Sequence, residues 1–169
     1  METVPKVSPQ HVEARRAQIL EGARRCFARW GYEGATVPRL EREIGLSHGA
    51  IFNYFRSKLD LFVALAVEDH RRFHRLYDEL GFAGLARHIA EADPAWLSVY
   101  LELHRRLFTD AALAKAWRKA ARGEEPPHIR TPEDQFAHTL LDGLVFERAA
   151  GIEIDIEPII ERAEKALRQ

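Results

Sequence analysis

Residues 36–55 read TVPRLEREIGLSHGAIFNYF, and this stretch decides the fold of the first part of the chain. Thr36 is a good helix-capping residue, and the run after it predicts a short helix over 37–44. Gly45-Leu46-Ser47 predicts a tight turn that leads into a further helix over 48–55. Two short helices joined by a three-residue turn with glycine are typical of the helix-turn-helix, whose second helix enters the DNA major groove.

The two faces of the predicted helix 48–55 differ in chemistry. At about 100° per residue, its large apolar side chains fall on one side and would pack on the preceding helices. On the other side, Gly49 lets the backbone approach the groove, Asn53 can read a base edge or hold a phosphate, and Tyr54 can donate to a phosphate. His48 falls on the inner side by angle, but in the first turn it can project past the helix end toward DNA.

Three further residues near the turn suit phosphate contacts. Thr36 and Ser47 cap helices whose first backbone N–H groups favour anions. Lys58 falls in the first turn of the next helix, where a cation is unfavourable to the helix dipole, and a phosphate partner would explain it. The spacing leaves one alternative open, a small three-helix packing unit with no role in DNA binding.

Helical periodicity continues on both sides of this motif, without repeats. Residues 1–8 are expected to be a flexible arm, followed by a first helix over 10–30. After the motif, Ser57 is expected to cap a helix whose apolar stripe runs from Phe62 to Leu80, and further helices are predicted over 94–108, 110–122, 132–150 and 156–168. The sequence therefore predicts an all-α fold of about nine helices.

The composition bounds the class of protein. With 46% hydrophobic side chains the chain can form a buried core. Its 169 residues correspond to one domain, or to one small domain plus a helper segment. The net charge of −1 excludes a uniformly basic coat, but residues 1–60 carry +3 and residues 61–169 carry −4. No apolar run is long enough to cross a membrane and no signal sequence is evident, so a soluble, cytoplasmic protein is expected. The single cysteine, Cys26, excludes an intramolecular disulfide and lies on a core stripe.

Several stretches carry a resemblance to a known family. They are ILEGARRCFA at 19–28, GYEGATV at 31–37, GLSHGAIFNYF at 45–55, then Lys58 and LF at 61–62. With these stretches, residues 18–68 resemble the DNA-binding domain of the TetR family of transcriptional regulators. A weaker likeness continues through 96–103 and 109–110, and both parts are similar to the actinobacterial aconitase-repressor type within that family.

The resemblance implies an all-α homodimer that regulates transcription and is not an enzyme. Residues 1–57 would form the helix-turn-helix DNA-binding domain, and residues 58–169 the ligand-binding and dimerisation domain. The protein would be a repressor that binds a palindromic operator through helix 48–55 and is released by a small-molecule effector. Family positions that contact the operator match Thr36, Ser47, Gly49, Asn53, Tyr54 and Lys58, and His48 aligns with a base-reading position.

The resemblance implies no bound cofactor. The aconitase-repressor type is associated with an effector made of citrate and a divalent metal. In this chain the region around 118–131 is shorter than is usual in the family, which bears on the size of the effector pocket.

Polar residues on apolar stripes are candidates for that effector pocket. Asp69 and His104 each lie on such a stripe, and a buried carboxylate needs a partner, so Asp69 is expected to pair with His104, Arg130 or another cation. The pair is either structural or part of a ligand or metal site. The candidate ligand-binding residues are Asp69, Trp96, Tyr100, His104 and Arg130, and further lining candidates are Trp117, His138 and Phe146.

A second class of function is a helical metal- or ligand-dependent enzyme or carrier that uses Asp69 and His104. A third is a purely structural interaction module. His70 and His74 have the spacing of two zinc ligands, but without a third ligand we interpret them as a solvated face. No phosphate loop, nucleophile elbow or complete metal motif supports an enzyme.

A dimer is needed to read two operator half-sites one helical turn apart. The predicted helices 132–150 and 156–168 are apolar on more than one face, and Gly143 would permit the close approach of another helix. The alternative is that both faces are buried inside one monomer. The candidate interface residues are Phe136, Leu140, Leu141, Gly143, Leu144, Ile156, Ile160 and Leu167.

Overall fold

The computed structural model describes residues 8–120 and 131–167, apart from the side chains of residues 95 and 96. Every regular element in these ranges is an α-helix, which confirms the all-α fold class. The helices are α1 (Pro9–Gly34), α2 (Val37–Ile44), α3 (His48–Phe52), α4 (Lys58–Glu91), α5 (Pro94–Thr109), α6 (Ala111–Ala120), α7 (Pro132–Ala149) and α8 (Ile156–Leu167). The predicted arm, except residue 8, lies outside the described residues, as do residues 121–130 of the shortened region.

Local sequence signals set most of the helix ends. At the start of α7, the Thr131 hydroxyl accepts from the backbone N–H of Asp134 at 3.1 Å, and the Asp134 carboxylate accepts from the N–H of Thr131 at 2.9 Å. This capping box satisfies two N–H groups that a helix start otherwise leaves unpaired. Gly81 interrupts α4 with a φ of 65°, and Gly31 interrupts the end of α1 with a φ of 64°. The described ranges hold eight helical elements, where the sequence predicts about nine helices.

Helix α3 is shorter than the prediction of 48–55, because it ends at Phe52. The N–H of Asn53 still makes an α-helical bond to the carbonyl of Gly49, but that of Tyr54 bonds to the carbonyl of Ile51, only three residues back, both at 3.0 Å. A bond from residue i to residue i−3 is the geometry of a tight final turn. Asn53 and Tyr54 therefore follow the helix and do not lie on it.

The described chain divides into two compact units, one up to Leu65 and one from Ala66 onwards. In the first unit α1, α2, α3 and the start of α4 enclose an apolar core. Cys26 is fully buried in it as a small apolar residue, and this burial, helped by the charge of Glu43, raises the pKa of the thiol to about 11. The fully buried side chains of this core include Ile19, Ala23, Cys26, Leu40, Ile51, Leu61 and Phe62.

Helices α1 and α2 approach each other most closely at Gly22. A Cβ atom built on Gly22 would lie 2.6 Å from the Cα of Ile44 and 2.8 Å from its Cγ1. No side chain fits in that space, so the two helices pack backbone against backbone at this point. The contact fixes the last residue of α2, from which the turn to α3 starts.

The second unit has its own core. Apolar residues from the end of α4 pack with residues of α5, α7 and α8. Arg148 of α7 donates from Nε to the carbonyl of Ala92 at 3.1 Å, which satisfies a group just after the end of α4. The buried residues of this core are Phe82, Leu85, Ala86, Ile89, Leu97, Ala137, Leu141, Leu144, Val145, Ile160 and Ala163.

We expect Gly22→Ala to destabilise the protein. The new methyl group would force α1 and α2 apart, and such overpacking costs about 1–3 kcal/mol in the free energy of unfolding. In thermal unfolding followed by circular dichroism, the melting temperature should fall by about 2–10 °C. Gly49→Ala is the control, because Gly49 is exposed with no atom within 4 Å of its added Cβ. Equal melting temperatures for the two variants would contradict the close-packing argument.

Candidate functional site

The turn between α2 and α3 is built on a left-handed residue. Gly45 has φ 74° and ψ 29°, a conformation that costs little only for glycine. The N–H groups of Gly45 and Leu46 both bond to the carbonyl of Glu41, which closes the end of α2. Ser47 is extended and α3 begins directly after it. The helix-turn-helix geometry that the sequence predicts is therefore present.

Buried side chains on one face hold α3 in place. Ile51 is fully buried and Phe55 nearly so, as are Leu40 and Ile44 of α2. The opposite side is open: Ser47, His48, Gly49 and Asn53 are exposed, as is Thr36 at the start of α2, while Tyr54 and Lys58 are half-buried. The structure thus brings Ser47, His48 and Gly49 together in the first turn of α3.

Thr36 and Ser47 occupy the capping positions but do not cap with their side chains. Both have the extended backbone of an N-cap residue, and neither hydroxyl accepts a hydrogen bond from its helix. The prediction of side-chain caps is wrong in this respect, because position alone does not orient a hydroxyl. In α2 and α3 the hydrogen bond of a side-chain cap, from a first-turn N–H to the capping hydroxyl, is therefore not made.

Lys58 has a partner within the protein. Its Nζ donates to the carbonyl of Tyr32 at 2.9 Å and lies 4.4 Å from the centre of the Tyr32 ring. Tyr32 belongs to the last turn of α1, where carbonyls lack helical partners and a cation is favourable. The argument that Lys58 needs a phosphate to explain its position is therefore wrong. A contact between Lys58 and DNA stays a prediction.

Other cations lie at the same end of α1. Arg39, in the first turn of α2, donates from Nη1 to the carbonyl of Gly34 at 2.7 Å. Its guanidinium lies 4.2 Å from the centre of the Trp30 ring, and that of Arg29 lies 4.9 Å from the same ring. Arg29 and Arg39 could not be singled out from the sequence, since cation–π contacts depend on how α1 and α2 pack. Three cations, Arg29, Arg39 and Lys58, therefore lie around the last turn of α1.

His48 contacts two residues that orient its ring. Its Nδ1 is 3.9 Å from Oε1 of Glu41, and its ring centre is 4.6 Å from that of Phe52. The side chain of His48 is nevertheless 66% exposed. It therefore lies outside the core, as a first-turn residue can. The sequence analysis did not single out Glu41.

The second unit contains a small polar-lined cavity of about 30 Å³. At its wall the Tyr100 hydroxyl donates to Oδ1 of Asp142 at 2.8 Å, and Nδ1 of His138 lies 3.2 Å from Oδ2 of the same carboxylate. Asp142 thus joins a residue of α5 to its own helix α7. The lining residues are His70, Phe73, His74, Tyr77, Leu85, Tyr100, His138, Leu141, Asp142 and Val145.

This network shifts the protonation of its members. Burial raises the pKa of Asp142, but hydrogen bonds from His138 and Tyr100 outweigh it and hold the pKa below its usual range. The hydrogen bond to Asp142 raises the pKa of His138 above its usual value. Burial, and then the charge of Asp142, raise the pKa of Tyr100. Near neutral pH the network therefore holds a carboxylate and a neutral phenol.

The structure separates the predicted ligand residues. Tyr100 lines the cavity, whereas His104 bonds through Nδ1 to the carbonyl of Tyr100 at 2.8 Å and packs its ring on the Tyr100 ring. A pairing of His104 with Asp69 stays a prediction, in which only Nε2 of His104 could take part because Nδ1 bonds within α5. Asp69 is buried, as expected. Arg130 and the side chain of Trp96 lie outside the described part of the chain.

Three further predictions about this region have mixed outcomes. His138 lines the cavity as expected, but Phe146 is 60% exposed and does not line it. The interpretation of His70 and His74 as a solvated face is wrong: both are half-buried and line the cavity, and their tilted rings have centres 4.1 Å apart. The i, i+4 spacing was the signal that could have pointed to them.

The proposed interface residues divide into two groups. Leu141, Leu144 and Ile160 are buried in the core of the second unit, so their assignment to a surface between chains is wrong. Phe136 and Gly143 are exposed, whereas Leu140, Ile156 and Leu167 are half-buried. The apolar groove of α7 and α8, with a volume of about 410 Å³, is lined by Phe136, Leu140, Pro158, Ile159, Arg162, Ala163 and Ala166.

Among the described residues, no group of three His, Cys, Asp or Glu side chains is arranged to hold a metal ion. Of the helices in the described ranges, none combines the length and the apolar character needed to span a bilayer.

Comparisons with known proteins agree with this geometry. The model of the family "Bacterial regulatory proteins, tetR family" matches residues 19–65, which contain α2, the turn and α3. The HTH-type transcriptional repressor AcnR of Corynebacterium diphtheriae is 37% identical over an alignment of 188 positions that covers 98% of this chain and 97% of that protein. The HTH-type transcriptional repressor Rv1474c of Mycobacterium tuberculosis is 48% identical over 116 residues.

The alignment with Rv1474c is partial, since it covers 68% of this chain and 62% of Rv1474c. Among solved structures, Salmonella enterica GusR superposes with a TM-score of 0.64 over 96% of each chain, at 17% sequence identity. At that identity the likeness concerns the fold alone.

We expect His138 to stabilise the protein in a limited pH window. A raised His138 pKa contributes stability below the unfolded value, near 6.5, which is lost as the pH rises through the folded value. A lowered Asp142 pKa contributes stability above its unfolded value, near 3.9, which is lost as the pH falls through the folded value. His138→Gln should therefore cost most near pH 5.5, by at most about 1 kcal/mol for a partly exposed pair.

Melting temperatures at pH 5.5 and pH 8.5 measure this difference. His88→Gln is the control, since His88 is an exposed histidine of α4. A loss for His138→Gln that is the same at both pH values would contradict the assignment.

Proposed function

Because the chain belongs to the TetR family of bacterial regulatory proteins, we propose that it is a cytoplasmic, homodimeric repressor that binds a palindromic DNA operator. One observation carries the proposal: the first turn of α3 is exposed while Ile51, one turn later, is fully buried. A short helix anchored on one face and open at its N-terminal end suits entry into the major groove, because residues at that end of a recognition helix contact base edges. Residues 1–57 form the DNA-binding domain in this proposal.

Each residue near the turn has a role in the proposed complex. Gly49 has no atom within 4 Å of a built Cβ, which leaves room for the DNA backbone to approach. Asn53 is exposed just after α3 and reads a base edge, while Tyr54 donates to a phosphate. Ser47 and Thr36 offer phosphates their hydroxyls and the N–H groups of their helices.

Lys58 has a mixed role in this proposal. Its half-buried amine already bonds to Tyr32, so it acts mainly by adding positive charge near the DNA and by fixing the end of α1. Arg29 and Arg39 add charge at the same end of the helix. Such charge attracts phosphates without reading sequence.

The proposed dimer forms through α7 and α8. Phe136, Gly143 and Phe146 are exposed along α7, at intervals close to multiples of a helical turn, so they fall on one stripe. The groove that begins at Phe136 and Leu140 continues onto α8. An exposed apolar surface of this kind favours association, and a two-fold dimer matches the symmetry of a palindromic operator.

The proposed effector binds in the second unit, which together with the end of the first makes up the ligand-binding and dimerisation domain over 58–169. Tyr100, His138 and Asp142 supply polar groups at the cavity, and we retain Asp69, Trp96, His104 and Arg130 as candidates. The cavity of about 30 Å³ has room for a water molecule but not for an organic acid. An effector would therefore have to select a wider conformation, and it would release DNA by favouring that conformation.

The alternative of an enzyme or carrier based on Asp69 and His104 has little support. The relatives are named transcriptional repressors, which indicates a regulator. His104 bonds through Nδ1 within α5 and packs its tilted ring against Tyr100, which leaves only its Nε2 to act with Asp69.

Substitutions near the turn should separate base reading from phosphate binding. Asn53→Ala should lose about 1–3 kcal/mol of discrimination at one or two base pairs, because a base-edge contact is removed. Tyr54→Phe and Lys58→Ala should each weaken binding to all sequences alike. Only Lys58→Ala, which removes a charge, should also make the salt dependence less steep by about one counterion. The measurements are dissociation constants on a site selected from random duplex DNA and on its single-base variants, at several salt concentrations.

Lys115→Ala is the matched control for Lys58→Ala, since Lys115 is an exposed lysine of α6 in the second unit. Each variant is first checked by its melting temperature, because Lys58 also bonds to Tyr32. If no specific site emerges from the selection with the unaltered protein, the proposed function is wrong. Equal losses on every sequence for Asn53→Ala would remove its role as a base reader.

Gly143→Arg should convert the dimer to a monomer. The position is exposed and open within one chain, so the arginine fits the monomer, but it would prevent another helix from approaching. The dissociation constant of the dimer should rise at least about tenfold, as for central interface residues. Sedimentation velocity over a range of protein concentrations measures this change.

Ala112→Arg provides the control, as Ala112 is exposed on α6, away from the stripe. A monomeric unaltered protein, or a Gly143→Arg variant that dimerises as tightly as Ala112→Arg, would contradict the proposed interface.

A further inference from the structure

His48 is held by Glu41 and Phe52, although its side chain is mostly in solvent. The carboxylate of Glu41, in the last turn of α2, lies 3.9 Å from Nδ1 of His48. The ring centres of His48 and Phe52 are 4.6 Å apart, and the two ring planes are tilted by 37°. The side chain of Glu41 is 34% exposed. Within the described chain, Glu41 is the charged group recorded within ion-pair distance of His48. An exposed first-turn residue would otherwise be free to rotate.

This arrangement decides which ring atom meets a partner. The two nitrogens of an imidazole lie on different edges of the ring, so an Nδ1 turned toward Glu41 leaves Nε2 directed elsewhere. Given the exposure of the side chain, Nε2 is the atom that the ring presents to solvent. Its chemistry depends on the proton: in the imidazolium both nitrogens donate, whereas in the neutral ring one donates and the other accepts.

We propose that Glu41 is a positioning residue that orients His48 so that its Nε2 meets an operator base, an inference that rests on the proposed function. The carboxylate attracts the Nδ1 edge of the ring, so the edge that carries Nε2 faces the groove. In the imidazolium form Nε2 donates, and the matching acceptors in the major groove are N7 and O6 of guanine. In this orientation His48 selects a guanine.

The same carboxylate has an opposite effect on binding that is not sequence-specific. A negative charge beside the reader repels phosphates, so Glu41 weakens contacts with any DNA while it strengthens one base contact. Loss of the charge should then leave affinity for random DNA equal or higher, and reduce discrimination at one base pair. A residue that only supports the fold would reduce both.

The test uses the full chain and the site that it selects from random duplex DNA. For Glu41→Gln we expect about a three- to tenfold loss of discrimination at a single guanine, with no loss of affinity for random DNA. In a His48→Ala background, Glu41→Gln should change nothing further at that base pair.

Glu43→Gln is the matched control. Glu43 lies on the same helix and pairs with Arg29 at 3.8 Å, so the substitution removes the same charge without touching His48. The inference is overturned if the two glutamine variants lose discrimination at that guanine to the same extent, or if Glu41→Gln weakens binding to all sequences equally. In either case the unaltered protein still selects a site and the proposed function stands. Failure of the unaltered protein to select any site would overturn both.

Discussion

The contact between Gly22 and Ile44 is the constraint on which the rest of the first unit depends. Because no Cβ fits between the two backbones, α1 and α2 are locked at one separation. Ile44 is the last residue of α2, and the left-handed Gly45 follows it directly. The direction in which α3 leaves the turn is therefore set by a backbone contact with α1 and by a glycine, before any side chain of α3 packs.

Electrostatics around the turn then decides which groups remain for a partner. Lys58 and Arg39 each donate to a carbonyl at the end of α1, so these cations stabilise the fold as well as charge its surface. The hydroxyls of Thr36 and Ser47, by contrast, are not used as caps. This explains how a chain with a net charge of −1 can present the proposed site for DNA, because several of its cations are gathered at the end of α1.

In the second unit, α7 contributes to both of the features that concern function. Asp142 bonds to Tyr100 and His138 beside the cavity, whereas the next residue, Gly143, is exposed on the stripe. Adjacent residues on a helix point about 100° apart, so one helix can line a cavity and present an apolar surface. A change in the protonation of His138 and Asp142, or a ligand beside them, would act on the helix that carries the stripe.

The sequence by itself determined the all-α class, the bounds of α2, the cap of α7 and the buried face of α3, because glycines, capping residues and helical periodicity act over a few positions. Only the tertiary structure decided that Lys58 pairs with Tyr32, 26 residues away, that Glu41 holds His48, and that Leu141 is buried while Phe136 is exposed. These outcomes depend on which helix faces meet. In the sequence, an apolar residue that packs inside its own chain cannot be told from one that is exposed on the surface and able to contact a second chain.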